Sequence, residues 1–221
     1  MGDGDLASLR SHLKRVSLTQ GTVLYAADAA IDRVYFPLSG MVSILAVMRT
    51  GELIETAIIG REGVVGASVG ADGTQSPGQA TVQIAGLAWQ IEASKFIETY
   101  KASAHFRTLI NRFQGVVLRQ AQQSAACHAI HSIEARLCRW LLLSQDITGS
   151  DTIALTQDFL SHMLGVRRTS VSLCAHALQK TGLIQYSRGK IKILNRDGLQ
   201  ECACECYEVV REQLDKMAPP A

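Results

Sequence analysis

The amino-acid sequence predicts an α+β protein in which an antiparallel β-roll of the jelly-roll type is joined by a long helix to a winged helix-turn-helix. Three observations lead to this prediction. Short apolar runs broken by glycine fill the first half of the chain, an apolar stripe at helical spacing follows, and the last part has two helices separated by a glycine and followed by two short strands. We place these parts at residues 1–102, 103–131 and 132–221.

The composition is typical of a soluble globular protein. The chain has 221 residues, of which 47% are hydrophobic and 19% charged, enough for two modest domains with apolar cores. Asp3 and Asp5 stand where a secretory signal would have basic residues, and every apolar stretch is shorter than the roughly 18 to 20 residues that cross a bilayer. We therefore expect a cytoplasmic protein without a membrane segment, whose six cysteines are reduced thiols.

Strands and turns are expected over residues 22–91. A helical region with so many glycines would be unstable, whereas glycine suits the tight turns between short strands. The close, regular spacing of these turns favours a small antiparallel roll. The apolar runs are 34–36, 41–47 and 54–59, and the turn candidates are 38–40, 49–51, 60–63 and 71–73.

A long helix is expected after residue 102, where glycine becomes rare. Large apolar residues recur at alternating steps of four and three from Phe106 to Val117, which is the spacing of a coiled-coil seam. We expect this stripe to meet a second copy of the chain, while Leu109 and Val116 cover the roll. The alternative, in which the stripe itself packs on the roll, stays open. The expected dimer seam consists of Phe106, Ile110, Phe113, Val117, Gln120, Ser124 and Cys127.

The pattern of residues 155–178 predicts a helix, a tight turn and a second helix. Thr156 is the expected N-cap of the first helix, and Gly165 can take the left-handed conformation that ends it. The second helix is expected to begin around Arg167. This geometry is typical of proteins that place the second helix in the major groove of DNA. The expected core face of that helix is Val171, Cys174, Ala175 and Leu178.

Two short strands after Gly182 predict a wing. They are expected at residues 183–186 and 190–193, joined by a turn. Because side chains alternate along a strand, Lys190 and Lys192 face away from the isoleucines that follow each of them. These lysines are therefore expected to meet phosphate groups.

Basic residues are concentrated in this part of the chain. Residues 159–196 contain seven lysines and arginines and no acidic residue, although the whole chain has 22 basic and 20 acidic residues. Such segregation favours a surface that binds a polyanion, and with a helix-turn-helix it indicates double-stranded DNA. The expected DNA-contacting residues are Thr156, Gln157, Arg167, Arg168, Thr169, Ser172, Leu173, His176, Arg188, Lys190 and Lys192.

The order of β-roll, long helix and winged helix resembles the Crp/Fnr superfamily of bacterial regulators over nearly the whole chain, most specifically at residues 155–172. The resemblance implies a homodimer joined by the long helices, a palindromic operator, control by a signal received in the roll, and RNA polymerase as a candidate partner. It also implies base-reading roles for Arg168, Thr169, Ser172 and Leu173. Leu173 departs from the arginine often found at that position, so the usual half-site is not assumed, and a thymine methyl group is a possible contact.

The same resemblance implies an effector pocket in the roll. Cyclic-nucleotide binders of this superfamily hold the ribose with a glutamate after a glycine and the cyclic phosphate with an arginine after a proline. The corresponding positions here hold Ala67 and Gly78. A buried phosphate would lack its charged partner, so cyclic AMP is not expected to be the signal, and the effector stays unknown. The expected pocket residues are Gly66, Ala67, Ser68, Gly78, Gln79, Ala80 and Thr81.

No cofactor, metal ligand or catalytic residue is assigned from the sequence. Iron–sulfur members of the superfamily use cysteines near the amino terminus, whereas the first cysteine here is Cys127. His128 and His131 are expected to be surface or capping residues rather than haem ligands. The chain also lacks the phosphate-binding lysine loop, the dinucleotide fingerprint and the nucleophile elbow that would indicate an enzyme.

Two other functions stay open beside a DNA-binding regulator. One is a ligand-binding regulatory module that acts on a protein partner through its winged helix. The other is a cysteine-based redox-sensing regulator, because Cys202, Cys204 and Cys206 form a compact trio that is able to bind a metal or react with oxidants. If the tail is one helix, Cys202 and Cys206 share a face. The simpler interpretation is that these are small buried side chains.

Overall fold

The computed structural model describes residues 9–71 and 75–216, so residues 72 and 73 of the turn predicted at 71–73 lie outside the described part. The chain divides into two compact units, one formed by Met1–Ala46 and Ala57–Arg119, the other by Val47–Thr56 and Gln120–Ala221. The division falls inside the long helix, between Arg119 and Gln120. No helix of the described residues is both long enough and apolar enough to cross a membrane.

The first unit contains the predicted antiparallel roll. The strands are β1 Lys14–Leu18, β2 Val23–Tyr25, β3 Arg33–Pro37, β4 Met41–Val47, β5 Leu53–Ile59, β6 Gln79–Ile84 and β7 Gly86–Glu92. One sheet has the strand order β1-β7-β3, and a second sheet has the order β2-β6-β4-β5. The tip of the hairpin between β4 and β5 belongs to the other unit. The turn at Gly40 needs glycine, because its φ is +82° and an added Cβ would lie 2.5 Å from the carbonyl oxygen of Ile84.

Two helices close the core of the roll. Helix α1 spans Ala93–Ala102 and helix α2 spans Ala104–Ile130. Phe96 of α1 and Phe106 of α2 pack edge to face with their ring centroids 5.3 Å apart, and Ile110 joins the same buried cluster. The first turns of α2 are therefore part of the core of the roll.

This packing shows that the predicted dimer seam is wrong. Phe106, Ile110 and Phe113 are buried by their own chain, and the Phe113 ring lies so close to Gly63 that an added Cβ there would be 2.5 Å from it. The large apolar residues of the stripe are the ones that the roll needs to close its core, as the alternative interpretation proposed. Farther along α2, Val117 is half-buried, and Gln120, Ser124 and Cys127 are buried within the chain as well.

The second unit is a helical domain with a small sheet. Its elements are α3 Ile133–Thr148, β8 Thr152–Ala154, α4 Gln157–Leu164, α5 Arg168–Lys180, β9 Ile184–Ser187, β10 Lys190–Ile193, α6 Arg196–Cys202 and α7 Cys206–Asp215. Ser132 caps α3, its hydroxyl accepting a hydrogen bond from the Ala135 amide at 3.2 Å, and the indole of Trp140 donates to Glu55 Oε1 at 2.9 Å. The sheet has the order β8-β10-β9, in which the three-residue strand β8 was not predicted.

The carboxy-terminal tail is broken between α6 and α7. Ala203 follows the last turn of α6 with an extended backbone, φ −74° and ψ 152°, and α7 begins three residues later. Cys202 is exposed and Cys206 is buried. The expectation that these two cysteines share one helical face is therefore wrong, because the helix stops between them.

Candidate nucleic-acid interface

The turn between α4 and α5 is built from two local signals. The Thr156 hydroxyl accepts a hydrogen bond from the Phe159 amide at 3.2 Å and starts α4, and Gly165 ends it with φ +59° in the left-handed region. Arg167 then takes the extended N-cap position, so α5 begins at Arg168, one residue later than predicted. The caps at Thr156 and Gly165 agree with the sequence analysis.

A buried arginine fixes the same turn from inside the unit. Arg136 of α3 donates from Nη1 to the carbonyl oxygen of Leu164 at 3.0 Å. This carbonyl belongs to the last turn of α4, where carbonyl groups have no partner within the helix. Burial lowers the pKa of Arg136. Sequence reasoning missed this residue, because an arginine on a helix is usually expected at the surface.

Helix α5 buries one face and exposes the other. Val171, Ala175 and Leu178 are buried as predicted, whereas Cys174, which was expected beside them, is only half-buried. On the opposite face the side chain of Leu173 is 73% exposed. Arg167, Arg168, Thr169 and His176 are exposed on the helix as well.

A glutamine links α4 to the outer face of α5. Gln157 Oε1 accepts hydrogen bonds from Ser172 Oγ at 2.8 Å and from Arg168 Nε at 3.3 Å. The sequence analysis gives Gln157 a backbone-contact role and the other two residues base-reading roles. The geometry adds that Gln157 orients the two side chains it contacts, a relation that sequence spacing does not reveal.

The wing is a two-residue hairpin. Lys190 of β10 pairs with Ser187 of β9, and the loop residues Arg188 and Gly189 both have positive φ, 49° and 74°. Two successive positive φ values are the signature of a type I′ turn, whose twist matches that of the flanking strands. Ile191 and Ile193 are buried while Lys190 and Lys192 are exposed, as the alternation predicts.

One of the seven basic residues of this region does not contribute to the surface. Arg196 donates to Asp146 Oδ1 at 2.8 Å and to the Tyr207 hydroxyl at 2.7 Å, so its charge is neutralised within the unit. Subtracting it from seven leaves six cations on α5, the residue before it and the wing. The cationic surface consists of Arg167, Arg168, Lys180, Arg188, Lys190 and Lys192.

The predicted effector residues lie on two segments of the roll. Gly66 precedes a short 3-10 helix, Ala67–Gly70, and the Ala67 carbonyl accepts a hydrogen bond from Gln114 Nε2 at 3.1 Å. Ser68 is half-buried in that short helix. The other segment is the start of β6, where Gln79 Nε2 donates to Thr81 Oγ1 at 3.0 Å, with Gly78 before it and Ala80 buried between them.

A shallow hollow of about 170 Å³ lies elsewhere on the first unit. It is not lined by any of the predicted effector residues, so it gives no support to their role. Its lining is formed by Ser11, His12, Lys14, Arg33, Gln90, Glu92 and Lys95.

Two family descriptions match the chain. Residues 15–103 match the cyclic nucleotide-binding domain, and residues 135–202 match the Crp-like helix-turn-helix domain. No curated protein sequence gives a significant match. The two matched segments correspond to the roll with α1 and to the helical domain that carries the cationic surface.

Solved structures of bacterial regulators have the same fold. FixK2 of Bradyrhizobium japonicum is 17% identical with a TM-score of 0.73, the match covering 87% of this chain and 98% of that one. The c-di-GMP responsive global regulator CLP of Xanthomonas campestris is 15% identical with a TM-score of 0.70, covering 87% and 99%. A Crp/Fnr-family transcriptional regulator of Thermus thermophilus is 23% identical with a TM-score of 0.65, covering 86% and 98%.

Proposed function

The chain belongs to the Crp/Fnr superfamily of DNA-binding transcription regulators, and from this premise we propose that it acts as a homodimer on a two-fold symmetric operator. The observation that carries the proposal is the cationic surface, which includes the exposed face of α5 and the wing and comes from a segment, residues 159–196, without an acidic residue. Neutralising phosphates releases counterions and supplies much of the affinity for DNA. The helix α5 enters the major groove and the wing contacts the backbone.

Specific roles follow from the position of each side chain. Arg168, Thr169, Ser172 and Leu173 read base edges, with the exposed Leu173 side chain suited to a thymine methyl group. His176 lies on the same face. Backbone contacts come from Thr156 and Gln157 and from Arg167, Arg188, Lys190 and Lys192.

The dimer forms through the face of α2 that the roll leaves uncovered. Exposed residues recur along α2 at alternating steps of three and four, the spacing of a helical seam. Leu118 is 61% exposed on this face, and its small neighbours allow a second helix to approach closely. A two-fold axis would bring the same residues together from both copies. This exposed stripe consists of Gly115, Leu118, Gln122, Ala125 and Ala129.

The signal that controls the regulator is not cyclic AMP. Gly78 stands where the superfamily's cyclic-nucleotide binders have an arginine, and a Cβ at Gly78 would lie 2.7 Å from the Leu45 carbonyl oxygen. The backbone would have to shift before any side chain could occupy that position. Calorimetry with the purified protein is expected to show no binding of cyclic AMP at micromolar concentrations, and measurable binding would overturn this part of the proposal.

We further propose that the regulator acts in the cytoplasm, has no catalytic cofactor and is not an enzyme. RNA polymerase is its proposed protein partner at promoters. The test is affinity selection and sequencing of genomic fragments with the full-length protein, followed by binding measurements at several salt concentrations. We expect a palindromic site and a linear fall of log affinity with log salt concentration. Failure to select any DNA would favour the alternative of a module that acts on a protein partner.

A further inference from the structure

Three cysteines and one histidine, far apart in the sequence, come together in the second unit. Cys127 lies near the end of α2, and His131 follows that helix directly. Cys204 lies in the break between α6 and α7, and Cys206 is the first residue of α7. The three sulfur atoms and one ring nitrogen of the histidine all lie within 4.8 Å of one another. The cysteines are buried and the histidine is half-buried, so these groups are shielded from solvent.

Two of the distances within this cluster match those between ligands of one metal ion. Cys127 Sγ lies 3.6 Å from Cys204 Sγ, and Cys206 Sγ lies 3.6 Å from His131 Nδ1. A tetrahedral zinc ion, with bonds of about 2.3 Å to sulfur and about 2.0 to 2.1 Å to nitrogen, separates two sulfurs by about 3.8 Å and sulfur from nitrogen by about 3.5 Å. An iron–sulfur cluster would hold its cysteines farther apart, around several metal atoms.

Neighbouring side chains orient the four groups. Glu205 Oε2 lies 3.0 Å from His131 Nε2, an arrangement in which Nε2–H donates to the carboxylate and the Nδ1 lone pair faces the cysteines. Gln123 Nε2 donates to Cys206 Sγ at 3.0 Å. A carboxylate behind a histidine and a donor to a thiolate are the outer contacts that fix metal ligands in proteins.

The charges around the cluster favour an anionic centre. Arg136 and Arg139 are both buried, and both interact electrostatically with Cys127 and Cys204. Among the described residues neither arginine has a hydrogen-bond partner for its Nε. Two buried cations side by side need a nearby negative charge. Three thiolates, one neutral imidazole and one divalent cation give a net charge of minus one.

We propose that Cys127, His131, Cys204 and Cys206 bind one Zn²⁺ ion as a tetrahedral structural site. The ion fastens the start of the carboxy-terminal tail to the end of the long helix. Binding releases the protons of those thiols that are protonated and takes up no electron. The proposal rests on this cluster alone and does not depend on what the cationic surface binds.

The first test is the metal content of the full-length protein, purified under reducing conditions from zinc-supplemented cells without a metal-affinity step. We expect about one zinc per chain. In the variants Cys206→Ser and His131→Gln, the amount of zinc bound per chain should fall at least tenfold. The matched control is Cys202→Ser, whose exposed side chain lies two residues from Cys204 and outside the cluster, and which should keep the full metal content.

A second test needs no substitution and so stays informative if a variant does not fold. Titration of the metal-free, reduced wild-type protein with Co²⁺ should give thiolate-to-cobalt charge-transfer bands and the intense visible bands of tetrahedral coordination, saturating at about one ion per chain. Zn²⁺ should then bleach these bands.

Three results would each overturn the proposal. One is the absence of both zinc in the purified protein and cobalt bands in the titration. Another is equal loss of metal in Cys202→Ser and Cys206→Ser. The third is a disulfide between Cys127 and Cys204, found by mass spectrometry in protein prepared without reductant and unable to take up zinc after reduction; this result would favour redox sensing.

Discussion

On the winged helix, the side chains with proposed roles are mostly polar and exposed. On α2 the face left for a partner is a stripe of small residues with one leucine and one glutamine. Both surfaces lie on helices with an apolar buried face. On α5 the exposed face differs from the buried one in polarity, so the two cannot be confused. On α2 two faces can accept an apolar partner, and only the packing of the roll decides which one stays uncovered. The polarity of the residues therefore identifies the buried face of a helix from the sequence only when its two faces differ in polarity.

Of the substitutions that test this comparison between α5 and α2, the largest effect is expected at the buried face of α2, where a substitution should lower the free energy of unfolding. Phe106→Ala removes a ring that packs against Phe96 inside the roll and should lower the free energy of unfolding by about 3 to 5 kcal/mol. Urea unfolding followed by tryptophan fluorescence and circular dichroism measures it. The control His105→Ala changes the exposed neighbour and should cost less than about 0.5 kcal/mol. If Phe106→Ala changed the oligomeric state without lowering stability, the result would support the dimer seam that was predicted from the sequence.

The next largest effect is expected at the exposed stripe. Leu118→Asp places a charge on each side of the proposed two-fold contact and should convert the dimer to a monomer, as sedimentation velocity would show. Operator affinity should fall by about 100-fold, because the two half-sites are no longer bound together. Leu38→Asp, at an exposed leucine of the roll, is the matched control and should leave the dimer intact. An unchanged dimer in Leu118→Asp would place the interface elsewhere.

A smaller and position-specific effect is expected from Arg168→Ala. Discrimination at one base position of each half-site should weaken by about 1 to 3 kcal/mol, while the other positions keep their preferences. Binding to a library of single-base operator variants measures this. Lys180→Ala, at the far end of the same helix, should alter no base preference. If both substitutions weakened every sequence equally, α5 would not read bases.

The smallest effect is expected at the wing. Lys190→Ala removes one phosphate contact and should weaken binding to all sequences by a similar few-fold, lowering the slope of log affinity against log salt by about 1. Lys101→Ala, an exposed lysine of α1, should change neither quantity. A loss confined to one operator sequence would contradict the phosphate-contact role.

The sequence predicts the helix-turn-helix well because its signals are local. Thr156 and Gly165 act within their own helix, and the alternation of isoleucine and lysine in β10 acts within one strand. Strand β8 was missed because it is only three residues long and has one buried side chain, Ile153. Arg136 was missed because its partner, the Leu164 carbonyl, is a tertiary neighbour.

The cysteine–histidine cluster, by contrast, was not predicted from the sequence, because its residues come from distant parts of the chain. Its members are brought together by the meeting of α2 with the broken tail, and Cys127 was assigned to the dimer seam while His131 was taken for a surface or capping residue. A signal was nevertheless present in the spacing. Cys127 and His131 are four residues apart at a helix end, and Cys204 and Cys206 are separated by one residue. Neither pair is sufficient alone, because a tetrahedral site needs both pairs to meet.

At Arg188 the left-handed backbone conformation lowers the stability of the fold, whereas the charged side chain is proposed to strengthen binding to DNA. A side chain other than glycine, asparagine or aspartate in that conformation costs about 1 kcal/mol, and the hairpin loop requires it there. Arg188→Gly would relieve the strain and make the domain more resistant to heat, while removing a cation from the tip of the wing, which we propose contacts phosphate. Thermal stability alone would therefore favour glycine over arginine at position 188, and the proposed phosphate contact gives a physical reason for an arginine there.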